Sequence, residues 1–227
     1  MNHPVDSSPA KGRVLVVDDD ASLAEMLTIV LRQEGFESRV CDRGDTAIAA
    51  FRDYRPDLVL LCDLSSSVAG FSRFTILLMQ AMAGQFRRVR VFGFVNVCDE
   101  LTDTVLSAPP GSDLSSAFDD TARMTRWHRN SDYGSALLDF TDRYLEAVGP
   151  RTTVLILGDA RSNNTDPHVE ALRVVVERAR QVVFLNPEPP RQWGTGDSVA
   201  HLYGEVVDMH ECANAKQLRE FVGRLPV

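Results

Sequence analysis

The sequence lacks the features that mark several common functional classes. It has no CxxC pair and no histidine at zinc-site spacing, so Cys41, Cys62, Cys98 and Cys212 read as reduced, mostly buried thiols. No early apolar run reaches the ~18–20 residues of a membrane span, and the first ten residues lack the charged and apolar regions of a secretory signal. The expected location is the cytoplasm, with no membrane partner. Basic residues are outnumbered, 24 Lys and Arg against 32 Asp and Glu, for a net charge of −8. That balance disfavours the broad positive surface that neutralises nucleic-acid phosphates, so no nucleic-acid partner is expected. The local run Arg87, Arg88, Arg90 reads as the solvated entrance to a strand.

What is present is a chain of 227 residues, 44% hydrophobic, long enough for one large or two small domains. Residues 1–11 are polar and proline-containing and read as a disordered terminus. From Arg13, short apolar runs alternate with helical periodicity. RVLVVDD is a buried strand, and Leu23, Met26, Leu27, Val30 and Leu31 recur at helical spacing until Gly35 stops the helix. SRVCD is a second strand, residues 46–54 a second helix, and Pro56 precedes the apolar run DLVLLCD.

The alternation continues. Helices are expected over 71–84, 113–123, 132–147, 167–180, 198–203 and 215–225, with strands at VRVFGFVN, TTVLILGD, VVFLN and VVDMH. The stretches DTVLSAPPGS and NPEPPRQWGTGDS read as loops, the second with Asp197 capping the following helix. This pattern predicts a doubly wound, mostly parallel α/β sheet with helices on both faces.

In such a sheet, ligands bind beyond the carboxyl ends of the strands. Three polar clusters fall there: Asp63-Leu64-Ser65-Ser66-Ser67, Asn130-Ser131-Asp132, and Gly158-Asp159. Carboxylate and hydroxyl oxygens suit a hard cation such as Mg²⁺ or Mn²⁺. Alternate residues of an extended loop point the same way, so Asp63, Ser65 and Ser67 can converge on one point. With only one or two direct carboxylates the ion stays electrophilic, and an acidic group from a partner can complete its coordination. The competing reading of each cluster alone is a helix cap or turn.

CDLSSSVAGFSRF, followed by SDYGSAL and VLILGDARSN, resembles a von Willebrand factor A domain of the CoxE-like type, from about residue 58 to 227. The resemblance implies a Rossmann-like fold with a metal-ion-dependent adhesion site. It places the family's DxSxS on Asp63, Ser65 and Ser67, its later Thr on Ser131 and its later Asp on Asp159. Ser131 keeps the hydroxyl without the methyl, and Ser66 stands where glycine is common. The implied function is non-enzymatic, metal-dependent protein binding, with a MoxR-type AAA+ ATPase in metalloenzyme assembly as the implied partner.

Residues 12–61 resemble the first half of a response-regulator receiver, with Asp18 and Asp19 on its acidic pair. Asp18 and Asp19 then read either as a second cation site or as a vestige beside a helix cap supplied by Asp19 or Asp20. If DLVLL is the receiver's third strand, the phosphoacceptor position falls on Cys62 and Asp63 comes one residue late, on the opposite face. The two segments would share the strand at 57–62, with the receiver-like units extending the A-domain sheet in a flavodoxin-like manner. The alternative function is a phosphorelay receiver phosphorylated on aspartate. A metal-dependent phosphohydrolase is a weaker third, because Ser65 stands where its general acid belongs.

Overall fold

The N-terminal apolar run forms β1 (Arg13–Val17), followed by α1 (Ala21–Gln33) and β2 (Glu37–Cys41). The computed structural model of the protein describes residues 13–43, 47, 50, 57–65, 86–109 and 131–224. Asp20 caps α1, its carboxylate accepting the N–H groups of Ser22 at 2.9 Å and Leu23 at 3.1 Å. Asp18 in turn accepts the Asp20 N–H at 2.8 Å. Gly35, at φ +85°, supplies the left-handed residue that ends the helix. Of the helix expected over 46–54, Ala47 and Ala50 are described and both are helical.

The larger unit begins at Pro56. It contains β3 (Asp57–Asp63), β4 (Arg88–Phe94), β5 (Cys98–Glu100), α2 (Thr102–Ser107) and α3 (Tyr133–Tyr144). There follow β6 (Thr152–Leu157), α4 (Val169–Arg178), β7 (Gln181–Asn186), α5 (Ala200–Tyr203), β8 (Asp208–Glu211) and α6 (Ala215–Val222). The sheet order is β5-β4-β3-β6-β7-β8, parallel except for β5, which runs against β4.

The apolar run of β3 is continuous because both of its faces are buried. Leu58, Leu60 and Cys62 pack with Val105 of α2 and Leu218 of α6. Val59 and Leu61 pack on the other face with Phe140 of α3, Leu172 of α4 and Tyr203 of α5. Each of these fully buried aliphatic side chains contributes about 1.5–3 kcal/mol. A doubly wound α/β sheet is therefore what the alternation produces.

Four local differences from the sequence reading have physical causes. Residues 102–107 are helical instead of a loop, because Leu101 and Val105 are both drawn into the core. The edge strand β5 is too short and too polar to leave a period-2 signal. Asp197 does not cap α5; its carboxylate pairs with Arg161, and Val199 precedes the helix without a side-chain cap. Among the described residues the receiver-like strands are not hydrogen-bonded into the large sheet. β1 and β2 pair with each other in a sheet of their own, while both edges of β3 are occupied by β4 and β6. The helices expected over 71–84 and 113–123 lie outside the described residues.

Candidate metal centre

The sheet order creates a crevice at one place. From β3 the chain moves outward to β4 and β5, then returns to β6 on the opposite side of β3. Connections leaving the carboxyl ends of β3 and β6 therefore diverge, which is the switch-point geometry that binds ligands in open α/β sheets. Asp63 ends β3, and Asp159 follows β6 by two residues.

Both carboxylates are 3% exposed. Asp63 Oδ1 accepts the Ser65 N–H at 2.8 Å, and its Oδ2 accepts the Tyr133 hydroxyl at 2.7 Å. The same hydroxyl lies 3.5 Å from Asp159 Oδ1, which accepts the Arg161 N–H at 3.0 Å. One phenol thus stands between two buried acids that arrive from different strands. Burial pushes Asp63 up to about 6, opposed by hydrogen bonds from Tyr133, the Ser65 backbone and the Ser65 side chain, and reinforced by the charge of Asp159. Burial and the two carboxylates also push the Tyr133 phenol well up, so it serves as a proton donor.

The hydroxyl donors are buried as well. Ser65 and Ser131 are each 3% exposed. Ser131 Oγ donates to the Arg161 carbonyl at 3.3 Å, which leaves its lone pairs free to coordinate. The Ser131 carbonyl accepts Asn163 Nδ2 at 2.7 Å. Asn186, fully buried, donates to the Asp159 carbonyl at 3.1 Å and fixes the turn after β6. Ala160 occupies the left-handed region at φ +57°, a strained position for a residue with a Cβ, directly after Asp159.

The donor set fits a hard divalent cation. Every group is an oxygen, and among the described residues neither Asp63 nor Asp159 has an ion-pair partner. Two buried, unpaired carboxylates carry a large desolvation cost that a cation between them would offset. Of the five residues expected from sequence, the structure brings Asp63, Ser65, Ser131 and Asp159 to this one end of the sheet. Ser67 lies outside the described residues. Tyr133 was missed, since a tyrosine opening a helix reads as core; the pattern SDYG carries no separate sign of a hydroxyl aimed at Asp63.

The strand parity decides the position of Asp63. Cys62 packs with Leu58 and Leu60, whereas Asp63 faces Tyr133 on the side of Val59 and Leu61. The residue at the receiver's phosphoacceptor position is therefore a buried thiol, pushed up by its burial. Asp18 and Asp20 form the turn into α1. His210 and Glu211 lie in the edge strand β8, with the His210 ring 5.4 Å from that of Phe221.

At the rim, Arg161 Nη1 bonds Asp197 at 2.7 Å, and its Nε and Nη2 bond Glu188 Oε1 at 2.9 and 2.7 Å. Trp193 Nε1 donates to the Glu188 carbonyl at 2.9 Å. These contacts tie the segment after β7 to the residue two places beyond Asp159.

A family model described as "VWA domain containing CoxE-like protein" matches residues 42–221. The DNA-binding response regulator MtrA of Mycobacterium tuberculosis (strain ATCC 25618 / H37Rv) is 69% identical over 49 residues, 22% of this chain and 22% of that protein. The probable transcriptional regulatory protein TcrX of the same strain is 46% identical over 57 residues, 25% of this chain and 24% of that protein. The chain thus spans about a fifth to a quarter of the length of the curated relatives it matches. A solved structure of von Willebrand factor type A from Catenulispora acidiphila is 12% identical, with a TM-score of 0.42, covering 74% of this chain and 41% of that one. Proximal thread matrix protein 1 from the mussel byssus, with a zinc-occupied MIDAS motif, is 13% identical at a TM-score of 0.44, covering 93% and 66%.

Proposed function

Because this chain belongs to the family of VWA-domain-containing CoxE-like proteins, we propose that it is a non-enzymatic protein-binding module that works through a divalent cation. The observation that carries this reading is the pair of buried carboxylates, Asp63 and Asp159, which converge at the switch-point crevice with no cationic partner among the described residues. Asp63, Ser65, Ser67, Ser131 and Asp159 would hold the ion, Mg²⁺ or Mn²⁺ by the hardness of the donors. The cation, when bound, supplies an electrophilic position for a carboxylate presented by a partner.

The chain's own residues do the rest. Asp63 and Asp159 provide charge, and the serine hydroxyls provide neutral oxygens that leave the ion incompletely neutralised. The Arg161 backbone N–H holds the Asp159 carboxylate, and Asn186 holds the Asp159 main-chain carbonyl. Arg161, engaged by Glu188 and Asp197, is not free to neutralise an incoming acid. Recognition of an acidic partner therefore depends on the ion. The partner class carried by the family resemblance is a MoxR-type AAA+ ATPase acting in metalloenzyme assembly.

The test is binding to a co-produced MoxR-type ATPase in Mg²⁺ and in EDTA, together with calorimetric titration of Mn²⁺. Asp63→Ala is expected to abolish both the ion binding and the Mg²⁺-dependent association. Association that persists unchanged in EDTA or in the variant would refute the proposal.

A further inference from the structure

Tyr133 is more than filler beneath the carboxylates. Its ring is held on several sides: edge-on to Phe94 at 5.0 Å, stacked on Phe184 at 6.1 Å and tilted against Tyr203 at 6.2 Å. Tyr203 is itself tethered, its hydroxyl donating to the Pro167 carbonyl at 2.8 Å. A ring clamped by aromatic neighbours in a close-packed core leaves its hydroxyl little freedom. The hydroxyl lies 2.7 Å from Asp63 Oδ2 and 3.5 Å from Asp159 Oδ1, so its proton is directed toward Asp63.

The opposite wall is shaped to admit this hydroxyl. Gly158 lies against it: a Cβ on Gly158 would overlap the Tyr133 oxygen and come within 2.8 Å of the Asp63 Cβ. The glycine is required here by close approach and not by its backbone angles. The phenol and the missing side chain together form a slot at the junction of β3, β6 and α3. Into that slot one O–H projects between carboxylates that are 96 residues apart in sequence.

We propose that Tyr133 is a positioning residue for the cation, its clamped hydroxyl holding Asp63 and Asp159 toward a common point before the ion arrives. This inference rests on the metal-binding reading above. Two buried carboxylates repel each other, and each is anchored at one oxygen by a backbone N–H, from Ser65 and from Arg161; the phenol adds the donor on Asp63 Oδ2 that faces Asp159. The hydroxyl engages Asp63 Oδ2 and stands against Asp159 Oδ1, so the pair keeps one geometry. Outer-shell donors of this kind commonly account for about 10- to 100-fold in metal affinity.

The experiment is Mn²⁺ binding to the full chain, read from the loss of the free-ion electron paramagnetic resonance signal, with thermal midpoints measured in EDTA. Tyr133→Phe is expected to fold with a midpoint in EDTA lowered by the loss of one buried hydrogen bond, and to bind Mn²⁺ about 10- to 100-fold more weakly. Gly158→Ala displaces the hydroxyl without removing it and is expected to weaken binding likewise. The double variant lacks the phenol oxygen, so the part of the Gly158→Ala loss that comes from displacing it should disappear, and the two losses should be less than additive. Wild-type Mn²⁺ affinity in Tyr133→Phe would overturn the proposal, as would wild-type affinity in Gly158→Ala if the phenylalanine variant does not fold. Failure of the wild type to bind Mn²⁺, or equal binding by Asp63→Ala, would remove the metal reading itself and this inference with it.

Discussion

Raising the pH of the metal-free protein from 4 to 7 should weaken it through Asp63. In the folded state the carboxyl is pushed up to about 6 from an ordinary 3.8, chiefly by burial. Because the folded value is the higher one, the folded state keeps the proton after the unfolded chain has released it. The stabilisation from this group is fully present below the unfolded value and is lost as pH rises through the folded one. A shift of about two units at about 1.4 kcal/mol per unit corresponds to a loss on the order of 3 kcal/mol. In a domain of this size that lowers the thermal midpoint by roughly 6–12 °C. The other acids titrate in the same range, so the measurement is a difference. Urea denaturation from pH 4 to 7 in EDTA is compared between the wild type and Asp63→Asn, which keeps the size of the side chain and cannot ionise. The wild type should lose stability relative to the variant across this range, and Mn²⁺ should restore it above pH 6. A flat difference, or one of the opposite slope, refutes the account of Asp63 as a buried acid held for a cation.

Two further outcomes follow from the same geometry. Arg161→Ala leaves Glu188 and Asp197 facing each other without their shared cation and should destabilise the chain by about 1.5–3 kcal/mol in urea denaturation. Acetyl phosphate with Mg²⁺ should add no phosphoryl mass at Asp63, because Cys62 holds the receiver's acceptor position and Asp63 faces Tyr133; an adduct on Asp63 by mass spectrometry would contradict this.

Much of the fold is legible from local pattern. The run LVLLC at 58–62, apolar at every position, reads as a strand covered on both faces, and its alternation with helical stripes limits the architecture to a wound parallel sheet. Capping of α1 by Asp20 and its termination at Gly35 follow from backbone chemistry within a few residues, so they too can be read in advance. The edge strand β5 and helix α2 escaped because their signals are short, and the packing of Leu101 and Val105 decides them. Asp197 has the residue type of a cap, but a guanidinium from a distant turn engages it first.

By itself the sequence determined which oxygens the protein can offer and at which strand ends they fall. Side-chain parity along β3 already sets Asp63 apart from Cys62, because a one-residue step in a strand changes the face. The order of strands was left to the tertiary structure, and that order brings Asp63, Tyr133 and Asp159 to one crevice. It also decided that β1 and β2 form their own sheet while β3 is flanked by β4 and β6. Periodicity records which face of an element is buried. It carries no record of which distant element buries it, so the phenol that joins two carboxylates across the crevice became visible only in the folded chain.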